Sequence, residues 1–119
     1  MKDSNNLSHR KAYAFSIRMV RLSQYLHETH REYVLSRQVL RAGTAIGALL
    51  SESEFAQSHA DFINKLSIAL KEANETKYWI HLLYDTGYLN PSLYQSLLKD
   101  IQEIIRILVA IIKKLKDKS

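Results

Sequence analysis

The chain has 119 residues with no cysteine, one proline and three glycines, and its formal net charge is +5. This length suits one domain with a single core, and the lack of cysteine excludes a disulfide framework, a thiolate metal site and a cysteine nucleophile. So few turn-forming residues predict a small number of long elements. The basic balance is compatible with a phosphate-rich partner, although a modest positive charge also serves solubility alone.

The positive charge is concentrated in the first and last segments. Residues 1–33 and 90–119 each carry six basic and three acidic side chains, a balance of +3, whereas residues 34–89 sum to −1. The first residues, from Met1 to Ser8, are polar. They lack the apolar stretch of a secretory signal, so we expect a cytoplasmic protein.

Helix 1 is predicted over residues 9–30, with Ser8 as its N-cap. Its buried face is indicated by apolar side chains at spacings of four, three and four, namely Phe15, Met19, Leu22 and Leu26. A polar segment from Glu28 to Glu32 separates it from helix 2, which is predicted over residues 33–55.

Helix 2 contains two of the three glycines, Gly43 and Gly47, with alanines beside them. A glycine inside a helix costs about 1 kcal/mol relative to alanine, so two of them one turn apart suggest a compensating role. They lie on one helix face, where another helix could approach the backbone closely. We interpret the pair as a helix-packing motif; a binding groove lined by this face is the alternative.

Helix 3 is predicted over residues 59–85. Ser58 and Asp61 resemble a capping box, with Asp in place of the usual Glu or Gln. Gly87 suits the left-handed position just past its end. Helix 4 is predicted over residues 91–116, where Asn90 serves as the N-cap and Pro91 occupies the first helical position.

Helix 4 is apolar on more than one side. One seam runs through Leu93, Leu97, Ile101, Ile104, Leu108, Ile111 and Leu115, and a second through Leu98, Ile105 and Ile112. A membrane span would need about 20 apolar residues, and this run is too short. The surplus apolar surface therefore predicts a subunit interface and a homo-oligomer.

Four helices with short connections predict an all-α fold, an antiparallel up-down-up-down four-helix bundle forming a single domain over residues 1–119. Helices 2 and 3 turn near residue 57, which sets Arg41 opposite the region of residue 74. We therefore expect Arg41 to form an inter-helix ion pair with Glu72 or Glu75.

The sequence contains no pattern typical of an active site. His27 and His30 form at most an incomplete metal site, and the Glu-x-x-His pattern of di-iron bundles is missing. There is no phosphate-binding glycine loop and no serine elbow. We expect no enzymatic activity, no bound metal and no cofactor.

Two segments carry a family resemblance. Residues 32–48, EYVLSRQVLRAGTAIGA, and residues 61–79, DFINKLSIALKEANETKYW, resemble the four-helix bundle proteins linked to intervening sequences of bacterial 23S ribosomal RNA genes. The similarity extends over residues 8–115. The chain departs from the family pattern at Leu49, where an asparagine is frequent, and at Ser51 to Ser53, where small alanine-type residues usually flank the glutamate.

The resemblance implies an up-down bundle that assembles into a homopentameric ring. The family is also similar to the accessory protein of diversity-generating retroelements, a basic pentameric barrel that binds nucleic acid beside a reverse transcriptase. A reverse transcriptase is therefore one implied class of protein partner. For the intervening-sequence members the biochemical role is not established, and there are no catalytic residues to transfer.

We therefore expect a non-enzymatic, homo-oligomeric bundle that binds RNA or DNA through phosphate contacts and does not bind membranes. The candidate contacts are Arg10, Lys11, Arg18 and Arg21 on helix 1, Arg37 and Arg41 on helix 2, and Lys113, Lys114, Lys116 and Lys118 at the end of helix 4. The alternative is a protein–protein scaffold or adaptor ring whose charge serves solubility only.

Overall fold

The computed structural model describes residues 2–118, with side chains from residue 7 onward, and Met1 and Ser119 lie outside this part. The described chain folds into four α-helices and no strands. The helices are α1 (Lys2–His30), α2 (Leu35–Ser53), α3 (His59–Asp85) and α4 (Pro91–Asp117). Within this part, none of the helices is both long and apolar enough to cross a membrane.

Each helix packs against the next, and α4 returns to pack against α1. The side-chain contacts between helices run in reversed order along the chain. His9 reaches the carbonyl of Leu50, whereas His27 reaches Ser36. Between α2 and α3, Arg41 lies near Glu75 and Glu52 lies near Lys65. Neighbouring helices are therefore antiparallel, as the short connections predict.

The core runs the length of the bundle. Its largest fully buried side chains include Phe15, Met19, Leu26, Ile46, Leu50, Leu66, Ile80, Leu83, Leu97, Ile101 and Leu108. Every helix contributes to this set at helical spacing, so the apolar faces inferred from periodicity are the ones that pack together.

Helix α4 exposes less apolar surface than its sequence suggests. Ile112 in its second seam is 8% exposed, and Leu98 and Ile105 are half-buried against the core. Neighbours on two sides, α1 and α3, cover both seams. On α4, Val109 remains exposed, at 47%. Three other exposed large apolar side chains lie together on the outer face of α1, namely Tyr13, Ile17 and Val20, which are 70%, 46% and 42% exposed.

Three helix ends follow their local sequence signals. The side chain of Asn90 accepts a hydrogen bond from the Leu93 amide at 2.8 Å, and that of Ser58 accepts one from the Asp61 amide at 3.0 Å. Gly87 has a φ of +87°. Its amide donates to the Tyr84 carbonyl and the next amide to that of Leu83, the pattern of a Schellman cap.

Three helix boundaries differ from the sequence prediction by more than one residue, and α4 ends one residue later than predicted. Helix α1 begins at Lys2, so the prediction that Ser8 is its N-cap is wrong. Ser8 lies inside the helix and is buried. No proline or strong helix breaker precedes it, so the helix continues towards the N-terminus. Helix α2 spans Leu35–Ser53, two residues shorter than predicted at each end.

The start of α2 is set by a residue outside it. The carboxylate of Glu32 accepts hydrogen bonds from the amides of Val34, Leu35 and Ser36 at 3.2, 3.0 and 2.8 Å. Just before it, Arg31 has a φ of +51°, which ends α1 and turns the chain. The connection between the helices is thus a left-handed residue followed by a side-chain cap.

The two glycines of α2 face α1. A Cβ on Gly43 would collide with the Met19 side chain, and a Cβ on Gly47 would lie 3.3 Å from Ser16 Oγ and 3.6 Å from the Ala12 carbonyl oxygen. The glycines therefore allow α1 to pack closely against α2. Gly47 also borders a shallow surface groove with Tyr13 and Ser51.

Candidate nucleic-acid interface

The basic side chains predicted on α1 divide into two kinds. Lys11 Nζ lies 2.9 Å from Glu103 Oε1, and Arg18 Nη1 lies 2.7 Å from Asp100 Oδ2. These two ion pairs join α1, the first helix, to α4, the last. The carboxylates offset the charge of two of the four α1 cations that the sequence suggests as phosphate contacts, so Lys11 and Arg18 are weaker phosphate contacts than their sequence positions suggest.

The other two α1 arginines are exposed. Among the described side chains, neither Arg10 nor Arg21 makes an ion pair; Arg21 Nη1 donates to Gln24 Oε1 at 3.3 Å. Arg21 lines the same cleft as Ile17, and Arg10 precedes Tyr13 by three residues, a spacing that puts both on one face of α1. This surface mixes two cations with apolar area, which differs from the evenly charged face typical of phosphate binding.

The two α2 arginines have different environments. Arg41 contacts Glu75 and lies 3.3 Å from Glu72 Oε1, so its charge is used between α2 and α3. Arg37 is exposed at the edge of a small groove that includes His27 and Tyr33. Of this pair, only Arg37 remains available for an external phosphate.

The four lysines at the end of α4 are all exposed, namely Lys113, Lys114, Lys116 and Lys118. At about 100° per residue, their positions fan out around the helix. They also lie in the last turns, where cations interact favourably with the carbonyl end of the helix dipole. A stabilising role for α4 explains their placement as well as phosphate binding does.

A more regular basic surface lies on the outer face of α4. Lys99, Arg106 and Lys113 are seven residues apart, all three are exposed, and they lie on the side of α4 opposite the buried Ile101 and Leu108. We call these three residues the α4 basic stripe. At 1.5 Å per residue the stripe is about 21 Å long. None of the three makes an ion pair with another side chain of residues 7–118.

Sequence reasoning identified Lys113 but missed Lys99 and Arg106. The available signal was their seven-residue spacing, which places three cations on one helix face. The two apolar seams dominate the pattern of this helix and mask the repeat of its cations. Glu103, four residues after Lys99 and three before Arg106, forms its ion pair with Lys11 on α1.

Three of the five histidines make hydrogen bonds to hydroxyl groups. His27 Nε2 lies 3.0 Å from Ser36 Oγ, His30 Nε2 lies 3.3 Å from the Tyr25 hydroxyl, and His81 Nδ1 lies 2.7 Å from the Tyr94 hydroxyl. Within residues 2–118, no group of three or more histidine and acidic side chains could hold a metal ion.

Comparisons with known proteins agree on one family. The family model described as 23S rRNA-intervening sequence protein matches residues 5–110. A solved structure from Bacteroides thetaiotaomicron, a protein of unknown function from the S23 ribosomal protein family, is similar in sequence and fold. It shares 49% identity with a TM-score of 0.91, and the match covers 92% of this chain and 98% of that one. No curated protein matches the sequence significantly.

Proposed function

Because the chain belongs to the 23S rRNA-intervening sequence protein family, we propose that it is a non-enzymatic, homo-oligomeric bundle that binds RNA or DNA phosphates through the α4 basic stripe. The observation that supports this most directly is the exposure of Lys99, Arg106 and Lys113 on one face without carboxylate partners among the described side chains. Three exposed cations in line suit a polyanion better than a small ligand.

Binding of this kind is driven by counterion release. Each phosphate neutralised by a lysine or arginine releases condensed cations, so affinity falls with salt at a slope of about 0.9 per contact on duplex DNA and about 0.7 on single strands. Three contacts on one subunit give only weak affinity. A homopentameric ring would present five copies of the stripe, and their joint engagement would raise the affinity through avidity.

The experiment compares two triple variants with equal loss of charge. One removes the α4 basic stripe, with Lys99→Gln, Arg106→Gln and Lys113→Gln. The control removes three other exposed cations that make no ion pair among the described side chains, with Arg10→Gln, Arg31→Gln and Lys71→Gln. Fluorescence anisotropy with a labelled single-stranded RNA, a labelled RNA hairpin and a labelled DNA duplex is measured over a salt series.

We expect the stripe variant to lose at least about tenfold in affinity, with a salt slope reduced by about 2 to 3. The control variant should lose much less. Equal losses in both variants would mean that binding depends on overall charge and not on the stripe. A wild-type protein that binds neither RNA nor DNA at low salt would overturn the nucleic-acid proposal.

A second candidate function is supported by the outer face of α1. Tyr13, Ile17 and Val20 form an exposed apolar strip that would suit a scaffold or adaptor contacting another protein, such as a reverse transcriptase. High salt separates the two functions, because an apolar contact withstands it whereas phosphate binding does not.

A further inference from the structure

One aromatic side chain is held almost entirely in solvent. Phe55, in the turn after α2, is 85% exposed, and Glu52 and Glu54 lie beside it in sequence. The turn is hydrogen-bonded: the Phe55 amide donates to the Glu52 carbonyl at 3.0 Å, and the Ala56 amide to the Ser53 carbonyl at 3.2 Å. Phe55 is therefore presented by an ordered turn as an apolar knob directly after Glu54 in sequence.

A cleft of complementary character lies between α1 and α4. Its volume is about 290 Å³, and its walls are mainly apolar side chains, including Ile17, Leu22, Leu93 and Leu97. Arg18 and Arg21 also line it. Small-molecule pockets usually measure about 300–1,000 Å³, so this cleft lies at the lower limit of that range and is large enough for an aromatic side chain.

The knob cannot fill the cleft of its own chain. His9 contacts the Leu50 carbonyl, which fixes the end of α2 at the level of the start of α1. Arg21 lies twelve residues further along α1, about 18 Å away along the axis. The knob is also on the α2–α3 edge of the bundle and the cleft on the α1–α4 edge. The cleft can therefore receive only the knob of another molecule.

We propose that Phe55 of one copy inserts into the α1–α4 cleft of a second copy, with Glu54 facing Arg21. The charges support this occupant, because Glu54 makes no ion pair among the described side chains and the only partner of Arg21 among them is the neutral Gln24. The exposed Ile17 and Val20 beside the cleft extend the apolar area for the contact. This inference rests on the self-association in the proposed function.

The contact is head-to-tail, since each copy offers its knob at one edge and its cleft at the other. A head-to-tail interface closes into a ring when the rotation between subunits allows it. The geometry thus provides a specific contact by which identical bundles would form a closed ring. The α4 basic stripe takes no part in this knob-and-cleft contact and remains a separate surface.

The test uses one variant of each half of the contact. Phe55→Asp removes the knob and leaves the cleft, whereas Ile17→Glu places a carboxylate at the cleft and leaves the knob. Both positions are substantially exposed, so circular dichroism should show unchanged helix content. Val34→Asp is the matched control, because Val34 is 71% exposed at the opposite end of α2.

Light scattering coupled to size exclusion gives the mass. We expect wild type and the Val34→Asp control to be oligomers, each single variant to be a monomer near 13.8 kDa, and an equal mixture of the two variants to form a one-to-one dimer. The mixture regains one intact knob and one intact cleft. A charge swap, Glu54→Arg with Arg21→Glu, should assemble better than either single change.

Two results would overturn the inference. Single variants that keep the wild-type mass would leave self-association intact but exclude this contact. A monomeric wild type would remove both the contact and the proposed assembly. RNA binding is measured separately on the monomeric variants, so failure of the contact is distinguishable from failure of the nucleic-acid proposal.

Discussion

The sulfur of Met19 on α1 lies 2.6 Å from the point where a Cβ on Gly43 of α2 would stand. Met19 is fully buried, and Gly43 is buried opposite it. The space at this level of the seam therefore holds the methionine side chain or a second side chain, but not both. The glycine cost in helix propensity is compensated by the packing of Met19.

This relationship predicts the effect of Gly43→Ala. Overpacking a core costs about 1–3 kcal/mol, whereas replacing a helical glycine returns about 1 kcal/mol of helix propensity. We expect a net loss of about 1 kcal/mol in the free energy of unfolding, measured by urea denaturation. In the Gly43→Ala background, Met19→Ala should cost less than it does in the wild type, as a double-mutant cycle would report.

Gly47→Ala is the matched control, one turn further along the same face. Its Cβ would meet Ser16 Oγ at 3.3 Å and the Ala12 carbonyl oxygen at 3.6 Å, and the serine side chain can rotate away. The gain in helix propensity, about 1 kcal/mol, should then make this variant neutral or more stable. Equal stability changes for the two alanine variants would contradict the packing explanation.

Much of the fold could be predicted because its signals are local. Asn90, Ser58 and Gly87 act on helix ends within a few residues, so their roles can be inferred from the sequence alone. The position of Arg41 opposite Glu72 and Glu75 follows from counting residues along α2 and α3 from the turn near residue 57. Both kinds of inference use distances along the chain.

The ion pairs between α1 and α4 and the exposure of the α4 basic stripe depend on the orientation of each helix about its own axis. The pairing of Lys11 with Glu103 and of Arg18 with Asp100 requires knowing which side of α4 faces α1. The same rotation decides that Lys99 and Arg106 face solvent. The start of α2 differs from the prediction for another reason. The cap is the side chain of Glu32, which lies outside the helix after the turn at Arg31.

A second prediction concerns the contact of Arg41 with two carboxylates. Glu75 also accepts a hydrogen bond from Trp79 Nε1 at 3.1 Å, and the Glu72 side chain is only 15% exposed. Arg41→Met keeps the aliphatic stem but leaves both carboxylates without this cation. We expect a loss of about 1 kcal/mol in unfolding free energy at low salt, which becomes smaller as added salt screens the charges.

Arg37→Met provides the comparison, because Arg37 lies one turn earlier on α2, is exposed and makes no ion pair among the described side chains. Its effect should stay within about 0.5 kcal/mol at any salt concentration. If both methionine variants lose the same stability, or if the Arg41 effect does not depend on salt, the two-carboxylate contact makes no electrostatic contribution.

The last prediction concerns the carboxylate that caps α2. Burial raises the pKa of Glu32, but hydrogen bonds from the amides of Leu35, Ser36 and Val34, together with the nearby His27, outweigh this and hold the pKa below its ordinary value. The ionised cap is therefore favoured in the folded state. Its stabilising contribution is complete above the unfolded-state pKa of about 4.3 and is lost as the pH falls through the lower folded-state pKa.

Glu32→Gln should accordingly lower the unfolding free energy by about 1 kcal/mol at neutral pH, the usual contribution of a helix N-cap. The difference from wild type should shrink below about pH 4 and vanish once the wild-type carboxyl is protonated. Thermal unfolding over a pH series measures both curves. Glu28→Gln, at an exposed position near the end of α1, should leave stability unchanged throughout. A Glu32→Gln deficit that persists at low pH would show that the cap acts through its shape and not through its charge.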